Sequence, residues 1–135
     1  NVDNIIYDDI KERIYFIDLH RASYSDYIQD LSVLMVSIYR LPILDTAPRA
    51  ELMGLIHQLY QFARRFAKSH KDTSFDARLA VALGRSFATS TRFIYDRQFA
   101  SALALRAGYL LEAITRVNPH ALDTYKLPLE DIFHD

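Results

Sequence analysis

Residues 45–68 read DTAPRAELMGLIHQLYQFARRFAK, and this stretch decides the fold. Leu52, Ile56, Leu59, Ala63 and Phe66 recur at spacings of four, three, four and three, the stripe of an amphipathic helix. Asp45-Thr46-Ala47-Pro48 opens it, with Thr46 the expected cap and Pro48 in a first turn that needs no N–H there. From Leu52 to Ala63, twelve residues carry no Asp, Glu, Lys or Arg. No longer run of this kind occurs, and a membrane span needs roughly 18–20. A helix this apolar must bury more than one side, inside a bundle or against another subunit.

The same periodicity extends both ways. Upstream, Ser23-Tyr24-Ser25-Asp26 reads as a capping box for a helix over 25–39 that buries Ile28, Leu31, Met35 and Ile38, and Leu41-Pro42 stops it. Downstream, Thr73-Ser74-Phe75-Asp76 is a second box, opening a helix to about Tyr95. After a break near 96–100, Leu103, Ala107, Leu110, Ile114 and Val117 mark a last helix, which Asn118-Pro119 ends. At the N-terminus, Ile6, Ile10, Ile14 and Ile17 predict a helical arm over 1–22, although Ile14-Tyr15-Phe16-Ile17 would also suit a strand. The expectation is an all-α chain of one domain: an antiparallel four-helix bundle over 25–117 with an additional N-terminal helical segment. An acidic tail over 118–135 follows. Its Leu122, Tyr125, Leu127, Leu129, Ile132 and Phe133 can dock on the bundle or bind a partner.

At 135 residues, half of them hydrophobic and a quarter charged, the chain is long enough for one cored domain. Only three Gly and four Pro argue against an all-β fold. Those glycines, Gly54, Gly84 and Gly108, all fall inside predicted helices. Ala80-x3-Gly84-x3-Ala88 and Ala104-x3-Gly108 form two smooth ridges that predict close helix approach. No secretion signal opens the chain, so a soluble, cytoplasmic product is expected. Because it begins at Asn1 rather than Met, processing or excision from something longer is also expected.

The absence of Cys removes disulfides, thiol nucleophiles and Cys-ligated metals. There is no Gly-rich phosphate loop, no nucleophile elbow and no Glu-x-x-His. Asp8/Glu12 and Asp26/Asp30 are carboxylate pairs without an accompanying base. Glu130, Asp131 and His134 have ligand-like spacing but sit in a tail expected to fray. No cofactor or metal is expected, and mid-helix His57 reads as a structural histidine.

The net charge of −1 conceals a basic middle. Residues 1–59 carry net −4, 60–116 net +6 and 117–135 net −3. Twelve of the sixteen basic residues are Arg, whose planar fork suits carboxylate and phosphate alike. Arg78, Arg85 and Arg92 are seven apart on one helix face, about 10 Å from each other. Arg64, Arg65, Lys68 and Lys71 are expected to extend that row, which can track phosphates or pair with the chain's own acids. Separately, Arg65 and His70 fit the Arg-x4–6-His signature of the HEPN ribonucleases, all-helical domains of similar size. An apolar Phe66 follows the Arg where that family has a polar residue.

From about Tyr27 to Val117 the order of features resembles a group of small four-helix bundles. These are the proteins encoded in intervening sequences of bacterial 23S ribosomal RNA genes, with the accessory variability determinant proteins of diversity-generating retroelements. The likeness rests on Ile38-Tyr39-Arg40-Leu41-Pro42, Pro48-Arg49, the long Phe75–Tyr95 helix, Asp96-Arg97-Gln98-Phe99, and residues 110–116 (LLEAITR). The resemblance implies a ring-like homo-oligomer and, in the retroelement branch, binding of a reverse transcriptase and its structured RNA. The N-terminal segment, the acidic tail and the slightly acidic whole depart from it. Three readings follow. The leading one is a non-enzymatic scaffold that self-associates and binds a protein partner and RNA through Arg64, Arg65, Lys68, Arg78, Arg85 and Arg92. The others are a HEPN-like ribonuclease using Arg65 and His70, and an interaction module excised from a larger protein.

Overall fold

The computed structural model describes residues 1–21 and 24–134. Four long helices follow one another: α1 (Tyr27–Tyr39), α2 (Thr46–Ser69), α3 (Phe75–Ser90) and α4 (Arg97–Thr115). With 69 % of the chain helical, the class is the expected all-α one, and a four-helix bundle is compatible with it. Local chemistry sets the helix ends. The Asp26 carboxylate accepts from the Ile28 N–H and the Asp96 carboxylate from the Phe99 N–H, capping α1 and α4. The second predicted box does not form as expected, and of the first only Asp26 can be followed. Ser23 lies outside the described residues, Ser74 turns its hydroxyl toward Asp72, and Asp76 accepts from the Tyr60 hydroxyl at 2.9 Å. Thr46 is the first residue of α2 and Asp45 its cap position.

α3 packs against α1 and α4, and α1 against α2. Met35, Ile56, Leu79, Leu83, Phe87, Leu103 and Leu110 are wholly buried in the core. The predicted stripes therefore face inward, except that Phe66 stays 43 % exposed, edge-on to Tyr27 with ring centroids 5.3 Å apart.

The N-terminal segment is a β-hairpin and not a helical arm. β1 (Ile5–Asp8) pairs antiparallel with β2 (Arg13–Phe16), setting Ile5 opposite Phe16, Ile6 opposite Tyr15, Tyr7 opposite Ile14 and Asp8 opposite Arg13. The isoleucines that fit a 3.6-residue period also fall in β-branched and aromatic clusters that favour a pleated strand. Asp8 closes the turn by accepting from the Lys11 N–H at 3.0 Å, and Glu12 takes the left-handed conformation there (φ 50°).

The acidic tail, described through His134, is packed on the bundle. After a 3₁₀ stretch over Pro119–Thr124, α5 (Leu129–Ile132) and Phe133 dock on the bundle. Leu127, Leu129, Ile132 and Phe133 are buried. The Phe133 ring sits 5.6 Å from both Tyr39 of α1 and Phe87 of α3. From α4, Arg106 donates to the carbonyls of Ile132 (2.9 Å) and His134 (3.2 Å), so the tail's backbone is held as well as its side chains.

Of the predicted close approaches, only Gly84 makes one. A Cβ there would lie 3.0 Å from the Leu111 Cγ on α4, whereas Gly54 and Gly108 face open space. Gly54→Ala and Gly108→Ala should therefore each stabilise the protein by about 0.5–1 kcal/mol, as helix propensity alone dictates. Gly84→Val should lower stability instead. Urea unfolding of the three variants checks the contrast, and a gain at Gly84 would refute the close-packing account.

The molecule exposes 9556 Å² for a mass of 15.7 kDa. A folded monomer of that mass usually exposes about 7,300 Å², leaving an excess of about 2,300 Å².

Candidate functional site

Where α2 ends, its last two turns carry Arg64, Arg65 and Lys68. The helix stops in a Schellman arrangement: the Asp72 N–H donates to the Ala67 carbonyl at 2.9 Å and the Lys71 N–H to that of Lys68 at 3.2 Å. Lys71, in the left-handed conformation (φ 57°), occupies the position that reverses the chain into α3. The tail passes beside this corner. Together they enclose a cleft of about 800 Å³ whose rim holds five cations: Arg64, Arg65, Lys68, Lys71 and Lys126. All five are exposed.

The carboxylates on its walls are mostly occupied. Asp72 accepts from the Tyr27 hydroxyl at 2.7 Å and pairs with Arg78, and Asp76 is buried against Tyr60. Among the described residues, none of the five cations forms an ion pair. Asp123 is a third, exposed carboxylate in the lining, so the cleft carries an excess of positive charge but is not free of acid. In its wall the buried Tyr125 hydroxyl has no hydrogen-bond partner, and burial pushes its pKa up.

The arginine row occupies a different place. Arg78, Arg85 and Arg92 line a groove of about 550 Å³ between α1 and α3, with Val33, Val81, Ala82, Ile114 and Leu122 among its apolar lining. The groove shares no lining residue with the cationic cleft, so Arg64, Arg65, Lys68 and Lys71 do not extend the row. Arg78 stands between the two and is engaged through both terminal amino groups: it bridges Asp26 and Asp72 and lies over the Tyr27 ring, while its buried Nε has no hydrogen-bond partner among the described residues. Burial works against the Asp72 carboxylate, but the Tyr27 hydrogen bond and the Arg78 charge prevail and hold it below the usual carboxylate range. The same cluster pushes the Tyr27 phenol up to about 12, through burial first and then its bond to Asp72. Arg85 donates to the Gln29 side chain at 3.0 Å, and Arg92 stacks over Phe93.

Arg65 lines the cationic cleft and His70 does not. Five residues of helix turn the chain by 500°, so the two side chains leave the axis about 140° apart. The His70 ring stacks on Phe66 at 4.1 Å, with Nδ1 2.9 Å from the Phe66 carbonyl. His57 Nδ1 lies 3.0 Å from the Met53 carbonyl, the local pairing of a structural histidine. Among the described residues no three His, Asp or Glu side chains converge, and no helix is long and apolar enough to cross a membrane.

Sequence reasoning missed Lys126 and Tyr125 as parts of the site. They are far along the chain from Arg64, and only docking of the tail brings them there. The available signal was the apolar spacing of Leu127, Leu129, Ile132 and Phe133. No family model, curated protein or solved structure matches the chain.

Proposed function

We propose that this chain is a non-enzymatic helical scaffold that self-associates and holds structured RNA, alongside a protein partner, in a larger assembly. The observation that carries the reading is the cationic cleft: five positive side chains on one rim against three carboxylates in the lining, with none of the five in an ion pair among the described residues. Such a rim meets successive backbone phosphates, and release of their counterions drives binding without base preference. Self-association is supported by the excess surface, which is larger than the roughly 800 Å² per partner that a stable interface of standard size buries.

RNA affinity measured across a salt series tests the proposal. With four to five phosphates engaged, log K should fall against log[salt] with a slope of about −3 to −4. Arg65→Gln and Lys68→Gln should each flatten that slope by about 0.7–0.9. A slope near zero, or RNA cleavage that disappears in His70→Ala, would overturn the reading. Light scattering at micromolar concentration tests the self-association half, which a strict monomer would refute.

A further inference from the structure

We propose that the N-terminal hairpin is an arm that seats in the α1–α3 groove of a second copy of the chain. The inference rests on the self-association reading and names the surfaces that carry it. A two-stranded hairpin with four-residue strands is at best marginally stable alone in water. Here it makes little use of its own subunit: every β2 side chain is exposed, and the arm is tied down near its start, where the Val2 N–H donates to the Ser37 hydroxyl at 2.9 Å. Residues directly opposite one another share a face, so Ile5, Tyr7, Ile14 and Phe16 form one wholly apolar side. Tyr7, Ile14 and Phe16 are each at least 60 % exposed.

Charge selects the occupant's seat. Residues 1–20 carry five carboxylates against two cations. Pairing arm with arm would place these like charges together. The α1–α3 groove offers the opposite sign. Arg85 and Arg92 stand on its rim with no carboxylate partner among the described residues, above an apolar lining that includes Val81 and Ile114. The subunit's own arm does not line that groove. An arm from one copy in the groove of the next is a head-to-tail contact, which closes into a ring or runs on as a filament according to the rotation between copies.

The lack of cysteine makes the test clean. Ile14→Cys and Val81→Cys each replace an exposed side chain and should leave the fold intact. The two variants are mixed with a short bis-maleimide and resolved on a denaturing gel. The expected result is a covalent dimer in the mixture that is absent, or at least fivefold weaker, with either variant alone. An Ile14→Cys dimer formed alone with equal yield would mean arm-to-arm pairing and overturn the proposal. Oligomers seen by light scattering without the mixed dimer would overturn the arm's placement and leave self-association standing. A monomer by light scattering would end both.

Discussion

Replacing Phe133 with alanine is expected to destabilise the protein by about 3–5 kcal/mol, the usual cost of deleting a buried phenyl ring. The ring is 3 % exposed and touches the aromatic rings of two different helices, Tyr39 and Phe87. Each such pair adds about 0.5–1.5 kcal/mol beyond the area it buries. Neighbouring Ile132 is 1 % exposed, and Arg106 has fixed the backbone on either side, so collapse into the cavity is resisted. Against a total stability of about 5–15 kcal/mol, the loss is a large share. It should show as a lower urea midpoint, whereas Glu130→Ala, on the exposed side of the same turn, should stay within about 0.5 kcal/mol of the parent. A consequence for the site follows, because the tail carries Lys126 to the cationic cleft. Where Phe133→Ala remains folded, its RNA salt slope should be flatter by about one phosphate contact, 0.7–0.9. A loss of stability under about 1 kcal/mol would mean that the tail is a loose appendage.

What was legible in the sequence was whatever a single period encodes. Ile28, Met35, Ile56, Ala63, Leu103 and Leu110 stand on stripes readable by spacing alone, and each is buried. The N-terminal segment was ambiguous because Ile6, Ile10, Ile14 and Ile17 satisfy the helical period while the residues beside them satisfy a strand. The deciding event was a turn: Asp8 bonding the Lys11 N–H, and Glu12 accepting a conformation that a non-glycine residue seldom adopts. The second capping box failed for a related reason. Thr73 and Asp76 have the right spacing, but the Tyr60 hydroxyl takes the Asp76 carboxylate and the neighbouring Ser74 hydroxyl turns to Asp72. For the site, Arg64, Arg65 and Lys68 were visible as a local cluster. Their company was not, since Lys126 reaches the cleft only through the packing of Phe133 and Ile132. Nor could spacing separate Arg78 from Arg85 and Arg92. All three line one groove, Arg92 from the 3₁₀ turn Thr91–Phe93 just past the end of α3, yet only Arg78 meets carboxylates delivered by the α1 cap and the α2–α3 turn.

That distinction sets the second large effect. Arg78→Met is expected to cost about 2–3 kcal/mol at neutral pH, below the 3–5 typical of a fully buried broken pair because the guanidinium is partly solvated. The Asp72 side chain is only 14 % exposed, so without Arg78 a carboxylate largely removed from water would keep the hydroxyls of Tyr27 and Ser74 but lose its counter-charge. The pH dependence gives the sign. A carboxyl whose folded pKa lies below its unfolded value of 3.8 contributes stability that is present above 3.8 and lost as pH falls through the folded value. In the parent protein, stability should therefore drop as acid is added below about pH 4. In Arg78→Met the cation that depressed Asp72 is gone, and burial favours the neutral acid. The gap between the two proteins should therefore be widest near pH 7 and narrow toward pH 3, in urea titrations at the two pH values. RNA affinity separates this role from that of the cleft. The two charges Arg78 meets already neutralise it, so Arg78→Met should bind RNA with an unchanged salt slope under conditions where it is folded, while Arg65→Gln should not. A pH-independent loss of stability would break the link to Asp72. A flattened salt slope would return Arg78 to the phosphate-binding row.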